Sequence, residues 1–180
     1  MLWLSEHRVP VLDVLAGVLA VIGTGGLVWI ALAAVVALRS PGRRLAVAVP
    51  VLAAVWGADV LATGLRYLIG RPRPFEALAG VDPAVIGAVG PSLPSGHAAT
   101  SLAGALVLAY RVPSLAAPLL GLAAAISASR VYAGVHYPTD VIAGAALGAT
   151  VAAVAVAVVR RRERPPPQGR AAREGARGRV

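Results

Sequence analysis

Long apolar segments are the feature that most limits how this chain can fold. Five of them follow one another, covering residues 12–38, 45–65, 97–111, 114–129 and 139–159. About 20 helical residues span the ~30 Å hydrocarbon core of a bilayer, and the first, second and fifth segments reach that length. We therefore predict an all-α fold, a polytopic transmembrane helical bundle of about five spans.

The third and fourth segments are shorter and contain Gly, Ser and Pro. We expect them inside the bundle, where neighbouring helices satisfy any broken backbone hydrogen bonds. The many Gly and Ala residues favour close helix packing in lipid. We assign residues 1–160 to one membrane-embedded domain. The stretch 161–180 is rich in Arg and Pro and cannot bury enough apolar surface to fold alone, so we expect a disordered tail there.

Positive charge is concentrated next to the ends of the apolar segments. The net charge is +9, every basic residue is Arg, and most of them lie at positions 39, 43, 44 and 111 and in 160–179. If the helices alternate, these positions share one side of the membrane, which the positive-inside rule makes cytoplasmic. We therefore expect a multi-pass protein of the cell membrane with a cytoplasmic C-terminus. No nucleic-acid partner is expected, because no basic motif with interleaved aromatic residues is present.

Three polar clusters interrupt the apolar background, and all of them lie on the predicted outer side. The first runs from Arg66 to Pro74 and includes Arg71 and Arg73, where the second segment leaves the membrane. Guanidinium groups bind phosphate oxygens through paired, planar hydrogen bonds. Arg and Tyr also anchor helices at the interface, so this cluster alone does not establish an anion site.

The second cluster is Pro94-Ser95-Gly96-His97, at the start of the third segment. Ser95 is suited to cap a helix, whose free N–H groups and dipole favour an anion. Gly96 lets the backbone come close to that anion, and His97 follows it directly. An ordinary helix cap beside an interfacial histidine would use the same residues.

The third cluster, residues 129–140, joins the fourth and fifth segments. Pro138 fits the first turn of a helix, which places Asp140 within reach of His136. A carboxylate bonded to one ring nitrogen fixes the tautomer and leaves the other nitrogen free to attack. Three unrelated helix caps would not be expected to collect two His, an Asp and several Arg on one side of a membrane.

The clusters resemble the signature of the type 2 phosphatidic acid phosphatase (PAP2) family, which shares its site with vanadium haloperoxidases. The family motifs are Lys-x6-Arg-Pro, Pro-Ser-Gly-His and Ser-Arg-x5-His-x3-Asp. Here the first reads Arg66-x6-Arg73-Pro74, with Arg in place of Lys, and the other two are intact at 94–97 and 129–140. The resemblance implies a bundle with a PAP2/haloperoxidase-like core. Bacterial members typically have six spans, so the first of these would be missing here.

The resemblance also implies a role for each motif residue. His136 attacks phosphorus and forms a phosphohistidine, Asp140 holds the imidazole, and His97 protonates the leaving oxygen and then activates water. The residues implied to bind the phosphoryl oxygens are Arg66, Arg73, Ser95, Gly96 and Arg130. Arg66 keeps the charge of the usual Lys but differs in length and geometry, which leaves its effect on affinity and substrate choice open.

Asp59 lies seven residues before Arg66, on the same face of the second segment. An ionisable residue inside a membrane is a functional candidate by default. We expect it to support the site by pairing with one of the site arginines. The alternative is a polar residue near the interface without a special role.

These residues predict a lipid phosphate phosphatase with its site on the outer face of the membrane. Polyprenyl diphosphate is the first choice of substrate. The alternatives are phosphatidic acid, phosphatidylglycerol phosphate and a polyprenyl-linked sugar phosphate. No carboxylate cluster suited to Mg²⁺ is present, so we expect no metal and no cofactor.

Two readings from other classes compete with the phosphatase. The first is a non-catalytic protein that binds or transports lipid phosphates, and a protein of that kind would need no nucleophile such as His136. The second is a vanadate-dependent oxidase, although vanadate is better expected here as an inhibitor. The expected partners are the lipid substrate and membrane lipids, and a homo-oligomer is an open alternative.

Overall fold

The regular elements of the protein are helices throughout residues 1–85 and 87–164, the part of the chain that this computed structural model describes. The helices are α1 (Leu2–Glu6), α2 (Pro10–Gly23), α3 (Leu27–Leu38), α4 (Arg44–Ile69), α5 (Pro74–Ala77), α6 (Gly96–Arg111), α7 (Ala116–Tyr132) and α8 (Pro138–Glu163). Short 3-10 turns at Thr24–Gly26 and Pro113–Leu115 precede α3 and α7. The predicted all-α fold is confirmed.

Four stretches are long and apolar enough to span a membrane, namely Pro10–Leu38, Arg44–Ala77, Pro113–Tyr132 and Pro138–Glu163. The fifth crossing is α6, which has 16 residues and is buried along most of its length. It lies at the centre of the bundle and packs on α4, α7 and α8. A helix enclosed by others in this way can be shorter than one that faces lipid. The number of spans agrees with the predicted value of about five.

The parallel helices α6 and α8 approach each other at backbone distance. A Cβ atom added to Gly144 would collide with the Ser95 carbonyl oxygen, and one added to Gly148 would collide with that of Ala99. Small residues at a membrane helix interface permit such an approach. Because both helices begin at the same end of the bundle, this packing brings the second and third polar clusters together.

The first apolar segment, predicted over 12–38 as a single span, consists of two helices separated by a break. Gly25 and Gly26 adopt left-handed conformations, with φ of 56° and 73°, and separate α2 from α3. Glycine reaches this region without a steric penalty, so the Gly-Gly pair permits the break. Beyond it, the indole of Trp29 is buried against α6, and its Nε1 donates to Ser101 Oγ at 3.2 Å.

The arginine-rich connections lie together at the end of the bundle opposite the three clusters. Arg111 Nη1 is 2.6 Å from Glu163 Oε1, and Arg43 Nη2 is 4.0 Å from the same oxygen. These contacts join the connections after α3 and α6 to the end of α8. Helix α8 itself continues to Glu163, three residues past the domain boundary that we placed at 160. The rest of the predicted tail, 165–180, lies outside the described residues.

Candidate active site

A cavity of about 310 Å³ lies where α4 and α7 end and α6 begins. Five of the residues predicted from the sequence line it, namely Arg66, Arg73, His97, Arg130 and His136. Its other lining residues include Val85 and residues 87–91 of the connection before α6, and Ala20 and Thr24 at the end of α2. Helix packing therefore gathers polar groups that lie far apart in the sequence around one space.

A tight turn after α7 positions His136. The N–H groups of Val135 and His136 both donate to the Arg130 carbonyl oxygen, at 3.3 and 3.2 Å. His136 Nε2 lies 3.4 Å from Arg73 Nη1, while Nδ1 lies 3.5 Å from Asp140 Oδ2. The second distance is long for a hydrogen bond, so the imidazole faces the carboxylate without being tightly bonded to it. The two ring nitrogens thus face a carboxylate and a guanidinium.

Burial lowers the pKa of His136 below its ordinary value of 6.5. The charges of Arg73 and Arg130 act in the same direction, whereas Asp140 opposes them by favouring the imidazolium. Burial is the largest cause because a charged ring loses hydration inside the protein. His136 is therefore held in its neutral form, the form in which a ring nitrogen can act as a nucleophile.

Asp140 is fully buried and accepts hydrogen bonds at both carboxylate oxygens. Arg71 Nη1 donates to Oδ1 at 2.8 Å, and the Tyr137 backbone N–H donates to Oδ2 at 2.9 Å. Arg71 also donates to Thr139 Oγ1 at 2.8 Å and lies over the Tyr137 ring, 4.0 Å from its centroid. The carboxylate is consequently fixed in position beside His136.

The guanidinium of Arg130 is buried beside the cavity, and some of its N–H groups make no hydrogen bond within the described residues. The residue is 3% exposed, and its Nε and Nη2 have no hydrogen-bond partner among the described residues. Arg66 donates from Nη2 to Thr63 Oγ1 at 2.7 Å, and its buried Nε is likewise unpaired within the described chain. Unpaired buried donors are costly, and guanidinium donors bind oxyanions especially well. The cavity is thus suited to an anion.

Arg73 differs from Arg66 and Arg130 because its guanidinium is already hydrogen-bonded to backbone carbonyls. Its Nε donates to the Gly90 carbonyl at 2.8 Å, Nη1 to that of Val135 at 2.9 Å and Nη2 to that of Val89 at 3.1 Å. The side chain therefore holds the connection around 89–91 beside the cavity. We predicted Arg73 as a phosphate ligand, and in this structure most of its donors are bonded to the backbone.

Ser95 and Gly96, which we predicted as phosphate ligands, are not among the residues that line the cavity. Ser95 caps α6 by accepting from the Ala98 N–H at 3.5 Å, and its own N–H donates to the Asp140 carbonyl at 2.9 Å. A Cβ on Gly96 would be 3.7 Å from both the Arg66 guanidinium and Asp59 Oδ1. Asp59 thus lies beside the site, but the ion pair with a site arginine that we expected is not formed within the described residues.

His97 faces the end of α2. Its Nε2 lies 3.0 Å from the Ala20 carbonyl oxygen, and its ring packs against Gly23. No group of three or more His, Cys, Asp or Glu side chains that would suit a metal ion occurs in residues 1–85 and 87–164.

Comparison with known proteins identifies the family. Residues 47–164 match the sequence profile of the PAP2 superfamily. The chain belongs to the PAP2 superfamily. Decaprenylphosphoryl-5-phosphoribose phosphatase of Mycobacterium tuberculosis is 35% identical over 136 residues, 76% of this chain and 74% of that protein. Undecaprenyl-diphosphatase of Sulfolobus acidocaldarius is 33% identical over 136 residues, 73% of this chain and 63% of that protein.

Solved structures agree with this assignment. The crystal structure of Aquifex aeolicus LpxE has a TM-score of 0.73 and 27% identity, with 86% of this PAP2 chain and 91% of that chain covered. The transmembrane PAP2 type phosphatidylglycerolphosphate phosphatase from Bacillus subtilis has a TM-score of 0.70 and 22% identity, and it shares the fold. The predicted family, the membrane bundle and the class of lipid phosphatase are confirmed.

Two features of the PAP2 site were missed in the sequence. Arg71 lies in the first cluster, on the predicted outer side where the charge rule expects few Arg. Its charge was therefore noticed, but nothing in its spacing pointed to Asp140. Ala20 and Thr24 lie before the matched region and in a segment that we read as a plain span. The Gly25-Gly26 pair was the available signal for a break there.

Proposed function

We propose that this PAP2 protein hydrolyses a phosphate or diphosphate carried by a polyprenyl lipid. The observation that carries the proposal is the buried guanidinium of Arg130 in the cavity that it shares with His136, where its Nε and Nη2 have no partner within the described part of the chain. A cavity that offers donors to an oxyanion beside a neutral imidazole is suited to phosphoryl transfer. Polyprenyl diphosphate is the first candidate substrate, and a polyprenyl-linked sugar phosphate is the second.

In the first step, His136 Nε2 attacks phosphorus while the bond from phosphorus to the leaving oxygen breaks. His97 gives its proton to that oxygen, and Asp140 stabilises the positive charge that develops on the His136 ring. The phosphoryl oxygens are held by Arg66 and Arg130, with the Arg73 Nη1 group close to the attacking nitrogen. The products of this step are the dephosphorylated lipid and a phosphohistidine.

In the second step, water attacks the phosphohistidine. His97, now neutral, takes a proton from the water, the N–P bond breaks, and the electron pair returns to His136. Inorganic phosphate leaves and both histidines regain their starting states. Ser95 and Gly96 fix the start of α6 next to the site. Asp59 lies near Gly96 and the Arg66 guanidinium and acts as a supporting polar group.

The relatives favour a polyprenyl carrier over a glycerolipid. Both curated proteins that we compared are named for polyprenyl substrates, one a diphosphate and the other a phosphoribose. The phosphoribose reading is kept as the second candidate because the relative named for it is 35% identical over 76% of this chain. Phosphatidic acid and phosphatidylglycerol phosphate are the alternative substrates, and the assay described below includes both.

We further propose that the cavity faces away from the cytoplasm. The ion pairs of Arg111 and Arg43 with Glu163 lie at the opposite end of the bundle, together with the other arginines that the charge rule places inside. We also propose that residues 1–160 form the catalytic domain and that the stretch 161–180 is dispensable for chemistry. Membrane lipids surround the bundle, and we propose neither a nucleic-acid partner nor a metal.

Phosphate release by purified protein in detergent tests the function. The panel contains polyprenyl diphosphate, polyprenyl-linked phosphoribose, phosphatidic acid and phosphatidylglycerol phosphate, each assayed with and without EDTA. His136→Ala serves as the inactive reference. Release by the wild type alone supports the proposal, and the preferred lipid decides between the two candidates. Well-folded wild type that releases no phosphate would favour the lipid-binding alternative, and loss of release only when EDTA is added would refute metal independence.

A further inference from the structure

The break between α2 and α3 exposes a backbone carbonyl to the active site. In an uninterrupted helix the Ala20 carbonyl would accept the N–H of residue 24. Here the Thr24 N–H bonds to the Val21 carbonyl instead. The Ala20 oxygen accepts from Thr24 Oγ1 at 2.8 Å and contacts His97 Nε2 at 3.0 Å. One carbonyl thus links the broken span to the histidine of the second cluster.

This contact determines which nitrogen of His97 carries a proton. A carbonyl oxygen can only accept, so the short distance requires His97 Nε2 to be the donor. In neutral His97 the lone pair is then on Nδ1, and in protonated His97 both nitrogens carry hydrogen. The proton that His97 exchanges with substrate and water must therefore be carried by Nδ1.

The position of the His97 ring is also determined by the break. A Cβ atom on Gly23 would lie 2.9 Å from His97 Cδ2 and 2.9 Å from Ile126 Cγ2. Real Cβ atoms do not approach so closely, so the ring occupies space that is open only because residue 23 is glycine. Gly17, six residues earlier in the same helix, has no such neighbour within 4 Å.

We infer that the broken first span is a working part of the active site, in which Ala20 and Gly23 position His97 as the Nε2–H tautomer with Nδ1 as the proton-transfer atom. This inference rests on the proposed phosphatase function for its kinetic consequences. It concerns a segment outside residues 47–164, the region that matches the PAP2 profile. Gly23 and the Ala20 carbonyl are positioning groups, since neither is required to touch the substrate.

The kinetic test compares Gly23→Ala with Gly17→Ala, the same substitution in the same helix. We expect Gly17→Ala to retain wild-type activity and Gly23→Ala to lose about 10- to 100-fold in kcat on the preferred lipid, because a misplacement of about 1 Å is that costly. KM should change little, since the phosphate ligands are untouched. Equal kcat values for the two variants would overturn the inference.

A second comparison separates an effect on His97 from general damage. p-Nitrophenyl phosphate has an acidic leaving group that needs little help from a proton donor. With this substrate, Gly23→Ala should still release nitrophenol in the first turnover and then stall, because hydrolysis of the phosphohistidine still needs His97. Gly23→Ala combined with Ile126→Ala removes the other collision, because Ala lacks the Cγ2 atom, and the defect should remain relative to Ile126→Ala alone. Full recovery in the double variant would assign the loss to Ile126 packing and refute the role of His97.

A readout independent of catalysis is the ¹⁵N NMR spectrum of the imidazoles. The chain has only three histidines, so His7→Gln and His136→Gln assign the signals of His97. At a pH where His97 is neutral we expect the Nε2–H tautomer in the wild type. An Nδ1–H tautomer would overturn the inference whether or not phosphate is released. Wild type without phosphatase activity but with the Nε2–H tautomer would refute the proposed function and leave the positioning of His97 intact.

Discussion

Replacing Asp140 with Asn tests the electrostatics of the site most directly. The carboxylate is fully buried and has three neighbours, namely Arg71 Nη1 at 2.8 Å, the Tyr137 N–H at 2.9 Å and His136 Nδ1 at 3.5 Å. Asn has almost the same shape but only one oxygen. Its amide oxygen and nitrogen must therefore be divided between the Arg71 side and the His136 side.

The stronger partner decides how the amide is oriented. Arg71 carries a full charge, so the Asn oxygen should face it, and the NH₂ group should face Tyr137 N–H and His136 Nδ1. His136 then accepts at Nδ1 and holds its proton on Nε2, which removes the nucleophilic lone pair. We expect kcat to fall about 10²- to 10⁴-fold, as is usual when a catalytic histidine is held in the wrong tautomer.

The same substitution should also destabilise the protein. Breaking a buried charge pair costs about 3–5 kcal/mol. The Arg71 side chain is one-third exposed, so solvent screens its part of the interaction. We therefore expect a loss of about 2–4 kcal/mol in the free energy of unfolding, after allowing for that screening.

Phosphate release and thermal unfolding in detergent measure the two effects. Asp13→Asn is the matched control, because its carboxylate accepts a single bond from the Tyr132 hydroxyl at 3.0 Å on the same side of the bundle. This control should keep its kcat. If Asp140→Asn releases phosphate at the wild-type rate while remaining folded, the assignment of Asp140 as the group that orients His136 is wrong.

Three further predictions follow from the site and from the helix packing. Arg130→Gln should lower kcat/KM about 10²- to 10³-fold by removing oxyanion donors, whereas Arg111→Gln at the opposite end should not change it; similar values for both variants would contradict the anion site. Burial lowers the pKa of His136, so on acidification the ring stays neutral until the pH falls through that pKa. The acidic limb of kcat/KM against pH should therefore lie below about 6.5. A limb at higher pH would contradict the burial argument. Gly148→Ala should destabilise the bundle by about 1–3 kcal/mol through collision with the Ala99 carbonyl, while Gly121→Ala, which meets nothing within 4 Å, should not; unfolding temperatures in detergent compare the two.

Several features of the site could be predicted because they depend on local sequence. Ser95 and Pro138 are start signals for helices, and the structure begins α6 at Gly96 and α8 at Pro138. The spacing of His136 and Asp140 across that helix start indicated that they would be neighbours. Such relations involve only a few consecutive residues, so backbone geometry alone determines them.

The partners of the arginines could not be predicted in the same way. Three arginines come from one short cluster, yet among the described residues Arg66 has an unpaired Nε, Arg71 binds Asp140 and Arg73 holds the connection around 89–91. Nothing in their order distinguishes these roles. The direction that each long side chain takes depends on which carbonyl or carboxylate the other helices place beside it.

The amino-acid sequence by itself determined that this chain forms a membrane bundle and that its three polar clusters share one end. Apolar run length and charge position are sufficient for that, because the bilayer constrains every helix in the same way. Tertiary structure alone decided that the Ala20 carbonyl, at the break in the first span, contacts His97. That contact joins residues 77 positions apart, and it depends on how α2 packs against α6 and α7, which no local pattern records.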